Sequence, residues 1–384
     1  MTPAARHQAA IEILDQILAG AAAEQVLTRW ARGARFAGSG DRAAIRDLVF
    51  EALRCKRSCA HLGGAMTGRG LILGLIRAQE RDSSLIFTGA PHAPAPLNEI
   101  EAEYSASPMP EAVALDCPDW LLPIVQSSLG PDYRPVLSAL RLRAPVFLRV
   151  NLARTDRATA QARLAEAGIS TEPHPLAPSA LEVTGNARAV QRSTVFSEGL
   201  IEMQDAASQA VIFDLPSLEG RHVLDFCAGG GGKALAMAAL GAKVTAHDAN
   251  PGRMRDLPAR AARAGVRITQ TDKPKGLFDL VLTDVPCSGS GSWRRAPVGK
   301  WSLSPEGLAE LTRIQAEILD RAALHVSQDG WLAYVTCSLL DVENGRQISE
   351  FLARNAGFRH HLTRRLTPHD GGDGFFLALM RRVN

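Results

Sequence analysis

The sequence predicts an α/β fold on the strength of two observations. From about Val195 onward, short apolar segments alternate with segments whose apolar residues recur at helical spacing, a pattern typical of a mostly parallel sheet covered by helices. The predicted strands each end in a polar or reactive residue, and they read HVLDFC, KVTAHD, RITQTD, DLVLTDV and WLAYVTC. Because ligands of open α/β sheets bind beyond the carboxyl ends of the strands, a functional site is expected at that edge.

The residues ahead of this region predict further parts of the chain. Apolar residues recur every three or four positions between residues 4 and 77, which indicates an all-helical unit. A stretch rich in Pro, Ala and Ser follows, and PVFLRVNL, TDRATAQARLAEAGI and LEVTG then predict a strand, a helix and a strand. We therefore expect a helical domain at 1–84, a linker at 85–112, a small helical and α/β domain at 113–194 and the large α/β domain at 195–384.

Composition limits the class of protein. Of the 384 residues 46% are hydrophobic, but no apolar run approaches the roughly 18 residues of a membrane span, and the N-terminus lacks the pattern of an export signal. We expect a cytoplasmic monomer without a membrane partner. The net charge of +3 permits an anionic partner, and six cysteines without a CxxC pair predict neither a disulfide framework nor a metal site.

A glycine-rich loop, FCAGGGGK, joins a predicted strand to a predicted helix, so that its backbone N–H groups would face a ligand. Ala234 stands where a dinucleotide fingerprint needs glycine and where a phosphate-binding loop needs Ser or Thr. Asp225 ends the strand before the loop, and Asp248 and Asp272 end the next two strands, where an acid can bind ribose hydroxyls. This arrangement fits a nucleoside without a pyrophosphate, such as S-adenosylmethionine.

Two cysteines follow predicted strands, Cys287 in LTDVPCSGSG and Cys337 in YVTCS. Carbon 5 of a pyrimidine becomes nucleophilic enough to take a methyl group once a thiolate has added to carbon 6, so a cysteine at this edge suits cytosine methylation. Asp284 could accept a hydrogen bond from the exocyclic amine of cytosine. The residues by themselves leave open which cysteine attacks, and two buried cysteines packed as small apolar side chains are the alternative.

Several motifs together resemble one family, the RsmB/Sun-type (NOL/NOP/Sun) RNA 5-methylcytosine methyltransferases. The matching motifs are EGLIEMQDAASQ, DFCAGGGGK, DVPCSGSG, RRAP, KW, YVTCS followed by Glu343 and Asn344, and the terminal GDGFFLALMRR. The resemblance implies a Rossmann-like class I methyltransferase domain that uses S-adenosylmethionine, behind a NusB-like RNA-binding domain at 1–84 and a small α/β unit. The chain departs from the family at Ala228 and Gly229, where Ala-Pro is usual, and RRAPVGKW lacks the acidic residue often found after its proline.

The resemblance also implies roles for single residues. Cys337 would be the nucleophile, Cys287 would help the product to leave, and Asp284 would reach the cytosine. The residues expected to line the cofactor site are Cys227, Ala228, Gly229, Gly230, Gly231, Gly232, Lys233, Asp248, Asp272 and Asp284. Those expected to contact RNA are Arg294, Arg295, Gln204 and Asp205.

Other arginines allow two further interpretations. Arg141, Arg143 and Arg149 flank the small domain and could extend a basic track for RNA. The arginines of one predicted helix read as a solvated face, and they are Arg253, Arg255, Arg260 and Arg263.

The predicted function is S-adenosylmethionine-dependent methylation of carbon 5 of a cytosine in RNA, with 16S ribosomal RNA as the expected substrate. A transfer RNA cytosine methyltransferase is the nearest alternative. A non-catalytic RNA-binding assembly factor and a small-molecule methyltransferase are further alternatives, but the first has no use for two thiols and the second does not explain the domains ahead of the catalytic one.

Overall fold

A computed structural model describes residues 1–383, and its contacts group the chain into two compact units. We call them the helical unit (Met1–Gln126, Gly130–Arg143 and Trp293–Ser302) and the sheet unit (Ser127–Leu129, Ala144–Ser292 and residues 303–383). The four-part division at 84, 112 and 194 stays a prediction.

The helical unit confirms the helical periodicity of the first residues. Thr2 and Thr67 cap the first and fifth helices through their hydroxyl groups, and fully buried Ile13, Leu14 and Leu71 belong to the core. Its helices, the last of which extends beyond Gln126, are α1 (Pro3–Leu18), α2 (Ala23–Gly33), α3 (Ser39–Arg54), α4 (Lys56–Gly63), α5 (Gly68–Ala78), α6 (Glu99–Glu103), α7 (Glu111–Ala114) and α8 (Leu122–Leu129). The helix α9 (Tyr133–Leu140) completes its N-terminal part.

The stretch at 85–112 is attached to α5. Arg69 donates to the carbonyl oxygens of Ala95 and Pro96, each at 3.0 Å, and forms an ion pair with Glu101 of α6 at 2.7 Å. Across residues 1–383 no single helix has both the length and the apolar character to cross a membrane, although the bent pair α4 and α5 would pass together on length and composition alone.

A small antiparallel sheet opens the sheet unit, in the strand order β2-β3-β1-β4. The predicted strand, helix and strand correspond to β1, α10 and β3, whereas β2 and β4 are too short to show in the sequence pattern. Its elements are β1 (Val146–Val150), α10 (Arg157–Glu166), β2 (Ser170–Pro173), β3 (Ala180–Gly185), α11 (Thr194–Ser197) and β4 (Ile201–Met203).

The seven-stranded sheet that follows has the order β10-β11-β9-β8-β5-β6-β7. Strands β5 to β9 pair in parallel, and β10 and β11 add an antiparallel edge. The elements are α12 (Ala206–Phe213), β5 (His222–Asp225), α13 (Gly232–Ala239), β6 (Lys243–Ala246), α14 (Leu257–Ala264), β7 (Ile268–Gln270), β8 (Phe278–Asp284), α15 (Pro297–Ser302), α16 (Pro305–Ala323), β9 (Val326–Thr336), α17 (Gly345–Arg354), β10 (Phe358–Leu366) and β11 (Phe375–Arg382). All five predicted strands are present, and α15 is the one element of this series that belongs to the helical unit.

Candidate active site

Two loops at the carboxyl edge of the sheet bring Cys287 and Cys337 together. β8 ends at Asp284 and β9 ends at Thr336, and the two strands are parallel neighbours with Asp284 opposite Val335. Both loops therefore leave the sheet at the same edge, and the two sulfur atoms lie 3.4 Å apart. Both cysteines are free thiols, so that the two candidate nucleophiles share one site.

The two thiols differ in acidity. The distance alone does not assign the donor between the two sulfurs, but an ionised Cys337 can only accept, and the hydrogen bond that it then receives from Cys287 is the main influence that lowers the pKa of Cys337. The Lys233 ammonium adds to this, against the raising effect of burial and of Asp284. The pKa of Cys287 lies well above its ordinary value because this thiol donates to Cys337, is buried and faces the negative charges of Cys337 and Glu343. Cys337 is therefore the group that exists more readily as the thiolate, which is the nucleophilic form.

One buried carboxylate, Glu343, holds both cysteine loops. Its Oε1 accepts from the backbone N–H of Ser288 at 2.8 Å and from the side-chain amide of Gln315 at 3.0 Å. Its Oε2 accepts from the hydroxyls of Ser288 and Ser338, each at 2.5 Å. These two serines directly follow the two cysteines. Because four donors satisfy the fully buried carboxylate, it can hold the loops without the cost of an unpaired charge.

Lys233, in the first turn of α13, pairs with the carboxylate at the tip of β8. Its Nζ lies 2.7 Å from Asp284 Oδ2 and 5.1 Å from the centre of the Phe375 ring. Burial lowers the pKa of Lys233, but the charge of Asp284 and the hydrogen bond to it outweigh this, so that the pKa is raised overall. Lys233 therefore stays positively charged beside the Cys337 sulfur. The Asp284 side chain remains 34% exposed, which leaves surface for a ligand.

The glycine-rich loop folds around Asp248. The N–H of Gly229 donates to Asp248 Oδ2 at 2.8 Å, and the N–H of Asn250 donates to Oδ1 at 2.9 Å. Gly231 has a φ of +79°, and a Cβ there would lie 2.2 Å from Leu257 Cδ1, so this turn requires glycine. Asp248 thus shapes the loop, and its contact with a ribose stays a prediction.

The other residues predicted to line the cofactor site lie in the same loop, with one exception. Burial raises the pKa of Cys227, which makes it a poor nucleophile, and the N–H of Ala228 donates to His247 O at 2.8 Å. The Gly230 carbonyl accepts from Arg260 and the Gly232 carbonyl from Arg149. Asp272 is the exception, since it is exposed beyond the end of β7, and within residues 1–383 its side chain forms no hydrogen bond or ion pair with the residues above.

Asp225, at the tip of β5, is a buried acid without a hydrogen-bond partner. It is 1% exposed, and neither carboxylate oxygen accepts a well-formed hydrogen bond within residues 1–383, although the nearby N–H of Ala234 lowers the pKa slightly. Burial, followed by the negative charge of Asp284, raises the pKa of Asp225 to about 7. An orphaned carboxylate beside a glycine loop fits a ligand that brings its own positive charge or N–H groups, as S-adenosylmethionine does.

Two residues predicted to contact RNA are engaged inside the sheet unit. Gln204 accepts from Arg149 at 2.5 Å and donates to Ser208 at 3.2 Å. Asp205 caps α12 by accepting from the N–H of Ala207 at 2.8 Å. Gln204 therefore supports the glycine loop through Arg149, which donates to the Gly232 carbonyl, whereas Asp205 supports the start of α12. The contact of either residue with RNA stays a prediction.

The other predicted RNA contacts differ in exposure. Arg294 is 6% exposed, whereas Arg295 is exposed, and both belong to the helical unit. The interpretation of Arg149 as part of a basic track is wrong, because Arg149 is 5% exposed and burial lowers its pKa to about 10. Arg141 and Arg143 form ion pairs at 2.9 Å and 3.1 Å with acids of the helical unit.

The interpretation of the 253–263 arginines as a solvated face holds for two of the four and is wrong for the other two. Arg253 and Arg255 have 59% and 85% of their side chains exposed, although Arg253 also lies 3.3 Å from the carboxylate inside the glycine loop. Arg260 and Arg263 are 25% and 24% exposed, and both pair with Glu202, which is 4% exposed. Helical spacing gave no sign of these partners because Glu202 lies far from them in sequence.

Sequence reasoning missed the supporting role of Glu343 and Gln315. Glu343 belongs to a motif of the sequence, but acidic side chains are normally exposed, and only the tertiary structure shows the four donors that converge on this carboxylate.

Within residues 1–383 no three His, Cys, Asp or Glu side chains are grouped so as to hold a metal ion.

Comparison with known proteins places this geometry in a family. Residues 213–381 match the family described as 16S rRNA methyltransferase RsmB/F, and residues 117–191 match the ferredoxin-like domain of RsmF/B-like methyltransferases. Ribosomal RNA small subunit methyltransferase B of Escherichia coli O6:K15:H31 (strain 536) is 33% identical over 329 residues, which are 81% of this chain and 72% of that protein. The chain belongs to the RsmB/F methyltransferase family. This confirms the predicted family and S-adenosylmethionine as the methyl donor.

Further relatives agree with this assignment. The protein of the same name from Klebsiella pneumoniae (strain 342) is 35% identical over 287 residues, which are 70% of this chain and 66% of that protein.

Among solved structures, PH0851 superposes with a TM-score of 0.80 over 100% of this chain and 99% of that chain, at 23% identity. NSun6 from Pyrococcus horikoshii with SFG gives 0.62 over 70% and 98%, at 17% identity. The structural neighbours confirm the predicted α/β methyltransferase fold.

Proposed function

We propose that this RsmB/F methyltransferase methylates carbon 5 of a cytosine in 16S ribosomal RNA through a covalent adduct with Cys337. The observation that carries the proposal is the pair of sulfur atoms 3.4 Å apart, with the pKa of Cys337 lowered and that of Cys287 raised. Direct methylation of an exocyclic amine or a ribose hydroxyl needs no thiolate, whereas carbon 5 of a pyrimidine does.

The adduct begins with the Cys337 thiolate adding to carbon 6 of the cytosine. Lys233 stabilises the thiolate before attack, and Asp284 accepts a hydrogen bond from the exocyclic amine, which uracil lacks. Carbon 5 then becomes nucleophilic and takes the methyl group. Loss of the carbon 5 proton to a base and cleavage of the bond between sulfur and carbon 6 release the product and restore the Cys337 thiolate.

Cys287 assists the release of the product. Its thiol donates a hydrogen bond to the Cys337 sulfur, so it stabilises the negative charge that returns to that sulfur as the bond to carbon 6 breaks. The Glu343 network fixes the distance between the two loops, so that this hydrogen bond is available without rearrangement.

The glycine loop and three strand-tip acids would hold S-adenosylmethionine, whose sulfonium supplies an electrophilic methyl group. Gly229 to Gly232 let the backbone approach the ligand, and Asp225 offers an unpartnered carboxylate to a positive group. The acids at the tips of β6 and β8 border the same loop, Asp248 through Gly229 and Asp284 through Lys233. Asp272 lies outside this group, and its contact with the cofactor stays a prediction.

The pH dependence of S-adenosylmethionine binding tests the role of Asp225. Its pKa of about 7 means that Asp225 is protonated at pH 6 and ionised at pH 8. A cationic ligand prefers the ionised form and lowers its pKa, so the affinity should rise by about tenfold from pH 6 to pH 8. Calorimetric titrations at pH 6, 7 and 8 would measure this. Asp225→Asn should flatten the profile, and an equally steep profile in that variant would contradict the contact.

Bisulfite sequencing of total RNA tests the proposed substrate and position together. Cells without the gene should lose protection at one cytosine of 16S ribosomal RNA. The gene should restore it, and a Cys337→Ala copy should not. Loss of protection in a transfer RNA would instead favour the nearest alternative. Unchanged conversion at every cytosine would contradict the proposal and favour an RNA-binding assembly factor. That the protein acts as a monomer stays a prediction.

A further inference from the structure

The segment that follows the Cys287 loop in the chain, Trp293–Ser302, packs inside the helical unit. Two of its side chains donate to the last carbonyl groups of α3. The indole N–H of Trp301 donates to Leu53 O at 2.7 Å, and Lys300 Nζ donates to Arg54 O at 3.3 Å. The segment is therefore attached to one helix end by two side chains that are adjacent in sequence.

A helix end is a physically suitable anchor. The last four carbonyl groups of an α-helix lack partners inside the helix, and the helix end carries partial negative charge. Lys300 brings positive charge to that end, and Trp301 brings an N–H. Arg54 adds a third attachment in the opposite direction, because its guanidinium donates to the Arg294 carbonyl at 3.4 Å.

The attachment of Lys300 and Trp301 to the end of α3 is buried, so it is a packed contact of the helical unit and not a surface contact. Lys300 is 2% exposed, and its ammonium lies 4.4 Å from the centre of the Trp301 ring, with the Lys56 ammonium 4.5 Å from the same centre. Burial lowers the pKa of Lys300 to about 8, partly offset by the charge of Asp116, so the ammonium remains mostly charged at neutral pH. A lysine that only covered the surface would not bear this desolvation cost.

We propose that Lys300 and Trp301 are positioning residues for the RNA substrate, because by anchoring α15 to the end of α3 they hold the exposed Arg295 in place for the RNA backbone. Arg295 is the exposed residue of the pair, whereas the Arg294 side chain is buried and the Arg294 carbonyl accepts from Arg54. When the backbone that carries Arg295 is already fixed, less conformational entropy is lost as the guanidinium binds a phosphate. The inference rests on the proposed RNA substrate and adds a determinant of RNA affinity within the helical unit.

Steady-state kinetics of the full-length protein test the anchor. Lys300→Met keeps the length of the side chain but removes the ammonium, and it should raise KM for the RNA by up to about tenfold, because Arg295 must then be ordered when the RNA binds. The turnover number and the KM for S-adenosylmethionine should stay unchanged. Trp301→Phe, which retains a ring but lacks the N–H, should raise the same KM by a smaller factor. Lys275→Met, at an exposed lysine of the sheet unit, is the matched control and should change neither constant.

A double-variant cycle with Arg295→Ala separates positioning from general stability. If Lys300 acts through Arg295, the double variant Lys300→Met/Arg295→Ala should bind RNA no more weakly than Arg295→Ala alone. Additive effects, or a fall in turnover number with an unchanged KM for RNA, would overturn the inference. An unchanged KM for RNA in Arg295→Ala itself would also overturn the inference, because it would remove the predicted contact of Arg295 with RNA, while methyl transfer to RNA by that variant would leave the proposed function standing. Thermal melts of each variant would show whether Trp301→Phe must replace Lys300→Met as the test.

Discussion

Replacing Cys337 with alanine should abolish methyl transfer and leave the binding of S-adenosylmethionine intact. The variant removes the thiolate that adds to carbon 6, and without that addition carbon 5 cannot take the methyl group, so turnover should fall by at least roughly three orders of magnitude. The loop itself should keep its shape, because Ser338, Gln315 and Glu343 hold it through contacts that do not involve the sulfur. Transfer of a radiolabelled methyl group to RNA and calorimetry with the cofactor measure the two effects.

A cysteine away from the site provides the control for this prediction. Cys59 is 1% exposed in the core of the helical unit, and burial raises its pKa, so Cys59→Ala should retain turnover. Retained turnover in Cys337→Ala would show that the nucleophile has been assigned to the wrong residue. Loss of cofactor binding in that variant would show that the sulfur supports the cofactor site instead.

Replacing Cys287 with alanine should trap the enzyme on its RNA. The Cys337 thiolate can still attack, helped by Lys233, but it loses the hydrogen bond that most lowers its pKa and that stabilises it as a leaving group. Attack should therefore become slower, and release should become slower still. The expected result is a protein–RNA adduct that survives denaturing gel electrophoresis and accumulates with time.

The origin of that adduct can be checked with a second variant. Cys287→Ala/Cys337→Ala should give no adduct, because the covalent bond needs the Cys337 sulfur. An adduct in the double variant would point to another nucleophile. No adduct in Cys287→Ala under conditions where the native enzyme turns over would remove the product-release role of Cys287.

The parts of the molecule that the sequence predicted well depend on local pattern. The strand tips carrying Asp225, Asp284 and Cys337, and the glycine loop between β5 and α13, could be placed because alternating strands and helices form a parallel sheet whose carboxyl ends share one edge. The same reasoning predicted that both cysteine loops reach this edge. Short strands such as β4 could not be predicted, because three residues are too few to show the alternation of a strand.

Contacts between residues far apart in sequence could not be predicted in this way. Arg260 and Arg263 have the spacing of a solvated helix face, yet both pair with the buried Glu202, about 60 positions earlier in the sequence. Nothing in the local sequence around Lys300 indicates that it caps a helix that ended at Arg54. Burial and partner choice are properties of the packed chain, and residue spacing along one element carries no information about them.

The sequence by itself therefore determined the family, the type of fold and the set of chemical groups at the strand tips. The tertiary structure alone decided which of the two thiols is the more acidic, because the pKa values of Cys287 and Cys337 depend on the 3.4 Å contact between their sulfur atoms and on the positions of Lys233 and Glu343. The types of side chain in a site determine which reactions are possible there, whereas distances and burial determine which of those groups is ionised and can act as the nucleophile.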